Sequence, residues 1–528
     1  MLFIRYILLL FLLSSTVTAK MYWVFFEEDL SRPAAKLTEK AWDRLETRGS
    51  ITARGNRAVS HSHLEQLKQS GIQIRTVSRF LNAASAEIID RDQLRQIMQF
   101  PFVKSIEPVA TRIVRRPLPP EGERLSKRSD LTYGESLAQN QMLDIPAIHK
   151  LGYDGSGVTI AVFDSGFDME HPAFDQMHIS DYYDFIEQDR DVNGRDTLYE
   201  HGTMVLSVLG AYYPGELIGP AYGATYLLAR TEETSTETRV EEHYWLAAVE
   251  WADSLGADII SSSLLYFDFD GTKEDYSLRA LDGNTTIVTR AANIAAERGI
   301  LVVNAIGNEG PGDMSLWAPA DSPNILSVGA IYENGDITNF SGRGPTYDGR
   351  IKPDVVAMGS SLVVASGTNH FSGGTGTSFA TPLIAGLAAQ LLDARPGLSP
   401  NSVISLFHQN GDRSESPNNT YGFGIPKLIS LFEDARYLDV THCAIFPNPS
   451  AGREITILLS DPVASFSKEV SLYDIRGRFI AQLESSVESS FSLQVTLPGN
   501  ETLANQLYII SLEAYGKRYS AKVVYIKT

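Results

Sequence analysis

A serine hydroxyl attacks a carbonyl only when a neighbouring base takes its proton. An imidazole serves as that base when a carboxylate fixes its tautomer and stabilises the cation formed. Three segments of this 528-residue chain offer those groups. Asp164 ends the apolar run GVTIAVFD at 157–164 and is followed by Ser165 and Gly166. His201 precedes the small and apolar run GTMVLSVLG at 202–210, a context that none of the other nine histidines shares. Ser378 follows Gly374, Thr375, Gly376 and Thr377 and leads into FATPLIAGLAA at 379–389. A fourth segment, GILVVNAIGNEG at 299–310, presents Asn308, whose amide N–H2 can donate to a developing oxyanion. Removing such a donor costs about 10²–10³ in turnover. Taken singly, each has a plainer role: a structural carboxylate, a satisfied core histidine, a helix cap. Taken together, they are the parts of an acyl-transfer site.

The surrounding patterns say which elements must hold these groups. An apolar run before Asp164 reads as a buried strand, placing the carboxylate at its C-terminal edge, where α/β sheets keep their sites. His201 falls at the start of a buried helix. Ser378 opens a long apolar helix whose first N–H groups converge and favour negative charge. Pro382 falls near the first turn, where its missing N–H is expected to matter little. Asn308 ends another buried strand between Gly307 and Gly310.

At this point the stretch Tyr133–Leu431 resembles a subtilisin-type serine peptidase, a subtilase. The matching motifs are Asp164-Ser-Gly, His201-Gly-Thr, Gly307-Asn-Glu-Gly310, Phe340-Ser-Gly-Arg-Gly-Pro345, Lys352-Pro-Asp354 and Gly376-Thr-Ser-Phe-Ala-Thr-Pro382. The chain order of Asp164, His201 and Ser378 is also that of subtilisin. The resemblance implies an α/β fold with a doubly wound parallel sheet, a triad of Asp164, His201 and Ser378, and Asn308 in the oxyanion hole. It places substrate contacts on Ser263, Leu264 and Leu265, and on Ile306 and Gly307 beside Asn308. Some positions depart from the pattern: Ser165 follows the aspartate where threonine is usual, Met204 replaces a second histidine, and Phe379 replaces methionine. Leu265 stands where a glycine normally lets substrate backbone approach, which implies a changed or narrowed cleft.

The flanks have their own signatures. Residues 1–19 carry Arg5, an apolar run from Tyr6 to Leu13 and a small-residue end at Ala19, the pattern of a secretory signal peptide. That run is short for a spanning helix, which needs about 20 residues; a membrane-anchoring segment is the alternative. Residues 20–130 alternate strand-like and helix-like stretches as a small α+β unit, ending in a basic, proline-rich junction at Arg112–Asp130. Such a linker is either an ordinary connection or a propeptide junction, and the subtilase resemblance favours an inhibitory propeptide cut there. From about Phe446, short strands at Glu454–Leu459, Val470–Ile475, Phe491–Leu497, Gln506–Leu512 and Ala521–Ile526 imply a small β-sandwich. With Phe446-Pro-Asn-Pro449, Leu472-Tyr-Asp-Ile-Arg-Gly477 and Leu507-Tyr508, this part resembles the sorting domain of the Bacteroidetes type IX secretion system. That implies passage through periplasm and outer membrane to the medium or cell surface. A generic accessory sandwich is the alternative. The expected organisation is 1–19 signal peptide, 20–130 propeptide, 131–435 peptidase and 444–528 sorting domain.

Composition narrows the partners. Lys and Arg number 45 against 64 Asp and Glu, a net charge of −19, which argues against nucleic acid, since phosphate binding needs a basic face. One cysteine, Cys443, excludes intramolecular disulfides and cysteine-built metal sites; it falls in the linker before the sandwich. No second apolar stretch of spanning length occurs, so no transmembrane span is expected in the mature protein. Asp189-x-Asp191-x-Asn193-Gly194 with Glu200 matches an EF-hand Ca²⁺ loop, but an EF-hand needs two flanking helices, Glu200 abuts His201, and Asp196 takes an apolar position. A solvated acidic loop and a bound Ca²⁺ both remain readings of it. No cofactor is required, and no metal ligand is assigned. The expected function is a secreted serine endopeptidase acting on proteins or peptides, held as a zymogen by its own propeptide. The rival is a catalytically silent surface binding protein on the same scaffold.

Overall fold

A computed structural model describes residues 20–109, 133–432 and 440–525, less 30–31, 51–53, 194–199, 234–236, 270–274, 447–453, 460–465, 475–478, 490–491, 499–505 and 515–516. The signal peptide at 1–19 and the junction at 112–130 lie outside the described residues. Residues 20–109 run β1 (Lys20–Phe26), α1 (Glu39–Arg48), α2 (His61–Gln69), β2 (Gln73–Ser78), β3 (Ala83–Ile88), α3 (Arg91–Met98) and β4 (Val103–Val109). The sheet order β2-β3-β1-β4 is antiparallel throughout, with β1 between β3 and β4. Two helices start where side-chain acceptors replace the missing backbone ones: Thr38 accepts from Ala41 N–H, and Asp90 from Asp92 and Gln93 N–H. Alternation along β1 splits its side chains. Val24 and Phe26 pack under Leu67 and Ile97, whereas Met21, Trp23 and Phe25 point the other way, into the central domain.

The central domain begins with α4 (Leu137–Gln141) and α5 (Ile145–Lys150), followed by β5 (Thr159–Asp164), β6 (His178–Asp184), α6 (Glu200–Gly210), β7 (Tyr212–Tyr213), β8 (Leu217–Ile218) and β9 (Thr225–Arg230). It continues as α7 (Val240–Leu255), β10 (Ile259–Ser262), α8 (Ile287–Glu297), β11 (Leu301–Ala305), β12 (Leu326–Ile331) and β13 (Val355–Met358). The hairpin β14 (Leu362–Ser366) and β15 (His370–Gly374) leads into α9 (Thr377–Ala394) and α10 (Pro400–Gln409). β5 is buried at every position, as a strand covered on both faces must be. Seven strands form a parallel sheet in the order β13-β12-β11-β10-β5-β9-β6. On one face, Ile160 and Val162 pack with α6, α9 and α10; on the other, Ala161 and Phe163 pack with α7 and α8. This is the doubly wound architecture expected from the sequence. From β5 the chain crosses to the edge strand β6, places β9 between the two, then returns to the other side of β5 at β10. That reversal between β5 and β10 is where such sheets open a crevice at their C-terminal edge.

The last part holds β16 (Val440–Phe446), β17 (Glu454–Leu459), β18 (Phe466–Asp474), β19 (Phe479–Ser489), β20 (Ser492–Thr496), β21 (Gln506–Ala514) and β22 (Lys517–Tyr525). Two sheets are present, and β16 and β19 each pair in both, so the strand order closes on itself. Sharing those strands removes the open edges that a simple sandwich would expose. Cys443 belongs to β16, opposite Leu459, and not to a linker. Among the described residues, no helix is long and apolar enough to cross a membrane.

A buried ionic hub fastens the N-terminal unit to the central domain. Asp253 on α7 pairs with Arg44 of α1, with Arg79, and with Arg298 Nε at 2.9 Å. Burial pushes the Arg44 guanidinium down to about 10, against the pull of Asp253. Glu250, one turn earlier, accepts from Ser78 Oγ at 2.6 Å and from the N–H groups of Arg79 and Phe80 at 3.0 and 3.2 Å. Removing the shared carboxylate leaves buried cations uncompensated. Asp253→Ala in the full chain is therefore expected to lower unfolding stability by about 3–5 kcal/mol in denaturant titrations. A loss below about 1 kcal/mol, the range of exposed pairs, would show the hub to be dispensable.

Candidate active site

The site is built at the sheet reversal. Asp164, the last residue of β5, is fully buried, and its Oδ1 accepts from Ser165 N–H at 2.8 Å. The same oxygen lies 2.7 Å from His201 Nδ1, so that nitrogen carries the proton and Nε2 faces outward as the basic lone pair. Gly202 permits this approach. A Cβ there would fall 2.2 Å from the Gly166 carbonyl oxygen and 3.2 Å from Asp164 Oδ1. Burial pushes the His201 imidazole down, but the charge and hydrogen bond of Asp164 outweigh it and leave the group above its ordinary 6.5. The ring packs beside Phe379, 5.8 Å between centroids, which brings it to the start of α9.

Ser378 is the second residue of α9, 7% exposed, with Gly376 as the cap. Pro382 corrects the sequence expectation. It lies well inside the helix, and its missing N–H would have bonded to the carbonyl four residues earlier, that of Ser378. Ser263, just past β10, supplies the replacement: its Oγ donates to the Ser378 carbonyl at 2.9 Å. The helix start is thereby tied to the sheet edge. Asn308 is oriented from the same turn, because its Oδ1 accepts from Thr377 N–H and Thr377 Oγ1, each at 3.0 Å. With the carbonyl end occupied, the N–H2 end is the donor left to face the cleft. Gly376 has φ +152°, and a Cβ there would stand 3.7 Å from Ser378 N and 3.8 Å from Asn308 Nδ2. Ser378 N and Asn308 Nδ2 therefore both lie within 4 Å of one position at the start of α9.

The remaining expected substrate contacts separate in the structure. Leu265 is half-buried and overhangs Gly307. Leu264 turns its side chain into the core, and Asn304 Nδ2 bonds its carbonyl at 3.0 Å. Ile306 is buried, its N–H bonded to Val328 O at 3.0 Å and its carbonyl to Trp317 N–H at 3.1 Å. It supports the wall without reaching the cleft. Ser263 is engaged by Ser378. The Ca²⁺ loop reading falls largely on 194–199, outside the described residues; Asp189 and Asp191 each accept from a backbone N–H two residues on, at 2.9 and 3.1 Å. Sequence reading missed another group: Glu232, Glu237 and Glu241 bring carboxylate oxygens within 4.8 Å of one another. Burial and mutual repulsion hold Glu232 and Glu241 well above the usual carboxylate range. Glu237 and Glu241 stand four apart, but Glu232 precedes them at no such spacing, and only the tertiary structure brings its carboxylate to theirs.

Comparison with known proteins gives three family matches along the chain. The subtilase family matches residues 155–424, the Bacteroidota propeptide domain of peptidase S8 matches 21–123, and the secretion system C-terminal sorting domain matches 444–527. Subtilisin-like protease SBT6.1 of Arabidopsis thaliana is 29% identical over 57% of this chain and 28% of its own length. Serine protease AprX of Bacillus subtilis is 29% identical over 51% of this chain and 65% of its own. The match thus spans less than two thirds of either relative. Among solved structures, the epidermin leader peptide processing serine protease of Staphylococcus aureus superposes with a TM-score of 0.57 at 17% identity, over 79% of this chain and 99% of that one. At that identity the likeness concerns the fold.

The closest approach in the site generates its own test. A methyl at Gly202 must displace α6 from the end of β5, and overpacking of this kind costs about 1–3 kcal/mol. Gly202→Ala is expected to stretch the His201–Asp164 bond. In NMR titration the imidazole pKa of His201 should then fall, since the interactions that raise it weaken. An unchanged titration would mean that the glycine is not what permits the contact.

Proposed function

The chain belongs to the subtilase family, and on that premise we propose that it is a secreted serine endopeptidase made as a propeptide-inhibited zymogen. One observation carries the proposal: a buried carboxylate holds His201 at 2.7 Å, and the imidazole packs against Phe379, the residue after Ser378, at the start of α9. His201 Nε2 takes the proton of Ser378 Oγ as that oxygen bonds to a peptide carbonyl carbon. The carbonyl electron pair moves onto its oxygen, which accepts from Ser378 N–H and Asn308 Nδ2. When the intermediate collapses, the C–N bond breaks and the imidazolium gives its proton to the leaving amine. An acyl-enzyme remains, and His201 then activates a water to hydrolyse it. The family needs no cofactor, and no step here passes through a metal ion.

The flanking domains fit this use. Residues 20–130 serve as the inhibitory propeptide, 131–435 as the peptidase and 444–528 as the export signal. The sorting-domain match indicates release from the cell or attachment to its surface through the type IX machinery. Substrates are proteins or peptides.

Two outcomes test the reading. Ser378→Ala should abolish peptide cleavage while circular dichroism reports an intact fold, and fluorophosphonate should label the mature wild-type protein at Ser378. Unlabelled mature protein would favour the silent binding scaffold. The pH dependence has a defined sign. His201 must be neutral to act, and its pKa lies above 6.5, so kcat/KM should fall on acidification with an apparent pKa above 6.5. A limb below that value would place the titrating base elsewhere.

A further inference from the structure

The helix α1 belongs to the N-terminal unit by sequence, yet its charged face is turned to the central domain. Lys40, Arg44 and Arg48 stand four residues apart, which puts them in one row. Arg44 pairs with Asp253 in the buried hub, while Lys40 (Nζ to Oδ2, 3.1 Å) and Arg48 both pair with Asp258. The same segment closes two helices of the central domain. A helix ends in carbonyls without partners of their own, and a cation is favoured beside them. At the end of α7, Ser254 O accepts from Thr38 N–H at 2.9 Å and Ala257 O from Arg44 Nη1 at 2.7 Å. At the end of α8, Glu297 O accepts from Ser50 N–H at 2.9 Å and Arg298 O from Arg44 Nε at 3.1 Å. The two backbones meet at a pair of glycines: a Cβ on Gly49 would fall 2.6 Å from Arg298 C, and one on Gly299 would fall 2.8 Å from Gly49 N.

These contacts lie at the opposite edge of the sheet from the reacting groups. Gly157, Asp258 and Arg298 lead into β5, β10 and β11, three neighbouring parallel strands. Lys40 reaches the first of them, donating to Thr159 Oγ1 at 2.6 Å and to Gly157 O at 3.2 Å. Asp164 ends the strand that Thr159 begins, roughly 16 Å away at about 3.3 Å per residue. Ser263 follows the end of β10, and Asn308 lies past the end of β11. The anchor therefore grips the strands where they begin, and the site is built where they end.

We propose that α1 is a lasting anchor: once the junction at 112–130 is cut, the N-terminal unit stays on the peptidase as a separate, non-covalently bound chain while Ser378 is open to substrate. The proposal rests on the peptidase reading above and adds a subunit to it. Inhibition and attachment are separate tasks in such a protein, because the anchor sits at the far edge of the sheet from the site. Cutting the junction removes none of the bonds named here. Trp23 and Phe25 of β1 also stay in one hydrophobic cluster with α7 and α8. Arg44, Asp253 and Arg298 are all buried, and buried, hydrogen-bonded charge pairs across an interface govern how fast it comes apart.

The test uses the protein with an affinity tag ahead of Lys20, activated by cutting its junction and then treated with fluorophosphonate. Peptidase labelled at Ser378 should be held on the resin through the tagged N-terminal unit, and the two should elute together in size exclusion. Arg44→Ala should speed the loss of labelled peptidase from the resin by at least about 30-fold, the effect of truncating one partner of a buried charge pair. Where that variant fails to fold, Lys40→Ala combined with Arg48→Ala leaves the hub at Asp253 intact and should speed the loss by about 5-fold. Labelled peptidase that washes off at once overturns this inference and leaves the peptidase reading standing. A retained complex whose Ser378 takes label only after the unit is stripped away does the same, as does release at the wild-type rate from both variants. Protein that takes no label in any fraction overturns the peptidase reading, and the open site proposed here with it.

Discussion

The hydrogen bond from Ser263 Oγ to the Ser378 carbonyl is the interaction on which the site depends. It exists because Pro382 cannot donate to that carbonyl, which leaves a buried acceptor that must be met from outside the helix. Ser263 lies at the end of β10, the strand beside β5. One bond therefore ties the first turn of α9 to the sheet edge that also carries Asp164. Thr377 in the same turn orients Asn308, so the placement of that amide follows from the same anchor. The arrangement is stiff for an ordinary reason: each reacting group leaves a regular element within a residue or two of its end.

The N-terminal unit is held by different physics. Its β1 contributes Met21, Trp23 and Phe25 to the hydrophobic cluster that contains α7 and α8, so one core crosses the boundary between the two. The ionic hub at Asp253 lies within that contact and sets its register, because three guanidiniums converge on one carboxylate. The contact between the two is therefore both apolar and charge-matched.

Short motifs with local causes were legible in the sequence. Asp164, His201 and Ser378 each stand in a pattern that reports a strand end or a helix start, and the structure gives each that setting, whereas Asn308, expected to end a strand, lies in the loop three residues past the end of β11 at Ala305. The N-terminal unit was legible as a split βαβ plan, apart from α2, whose residues 61–69 bury Leu67 alone and show little periodicity. In the C-terminal part β16 and β19 were missed, since strands that pair in two sheets lack a single wet face and a clean alternation.

What the sequence by itself determined is the chemistry: which side chains are present, in what chain order, and on which kind of element. Tertiary structure decided how they bear on one another. Leu264, Leu265 and Ile306 look alike as apolar neighbours of a cleft, yet only Leu265 overhangs Gly307, while the other two support the core. Pro382 looks harmless in a first turn until the helix start at Thr377 makes Ser378 its lost partner. Three glutamates spread over 232–241 become one cluster only when the chain turns after β9. The reason is common to all three cases. Local sequence sets the direction in which a side chain leaves the backbone, whereas its neighbour comes from a distant segment that the sheet brings alongside.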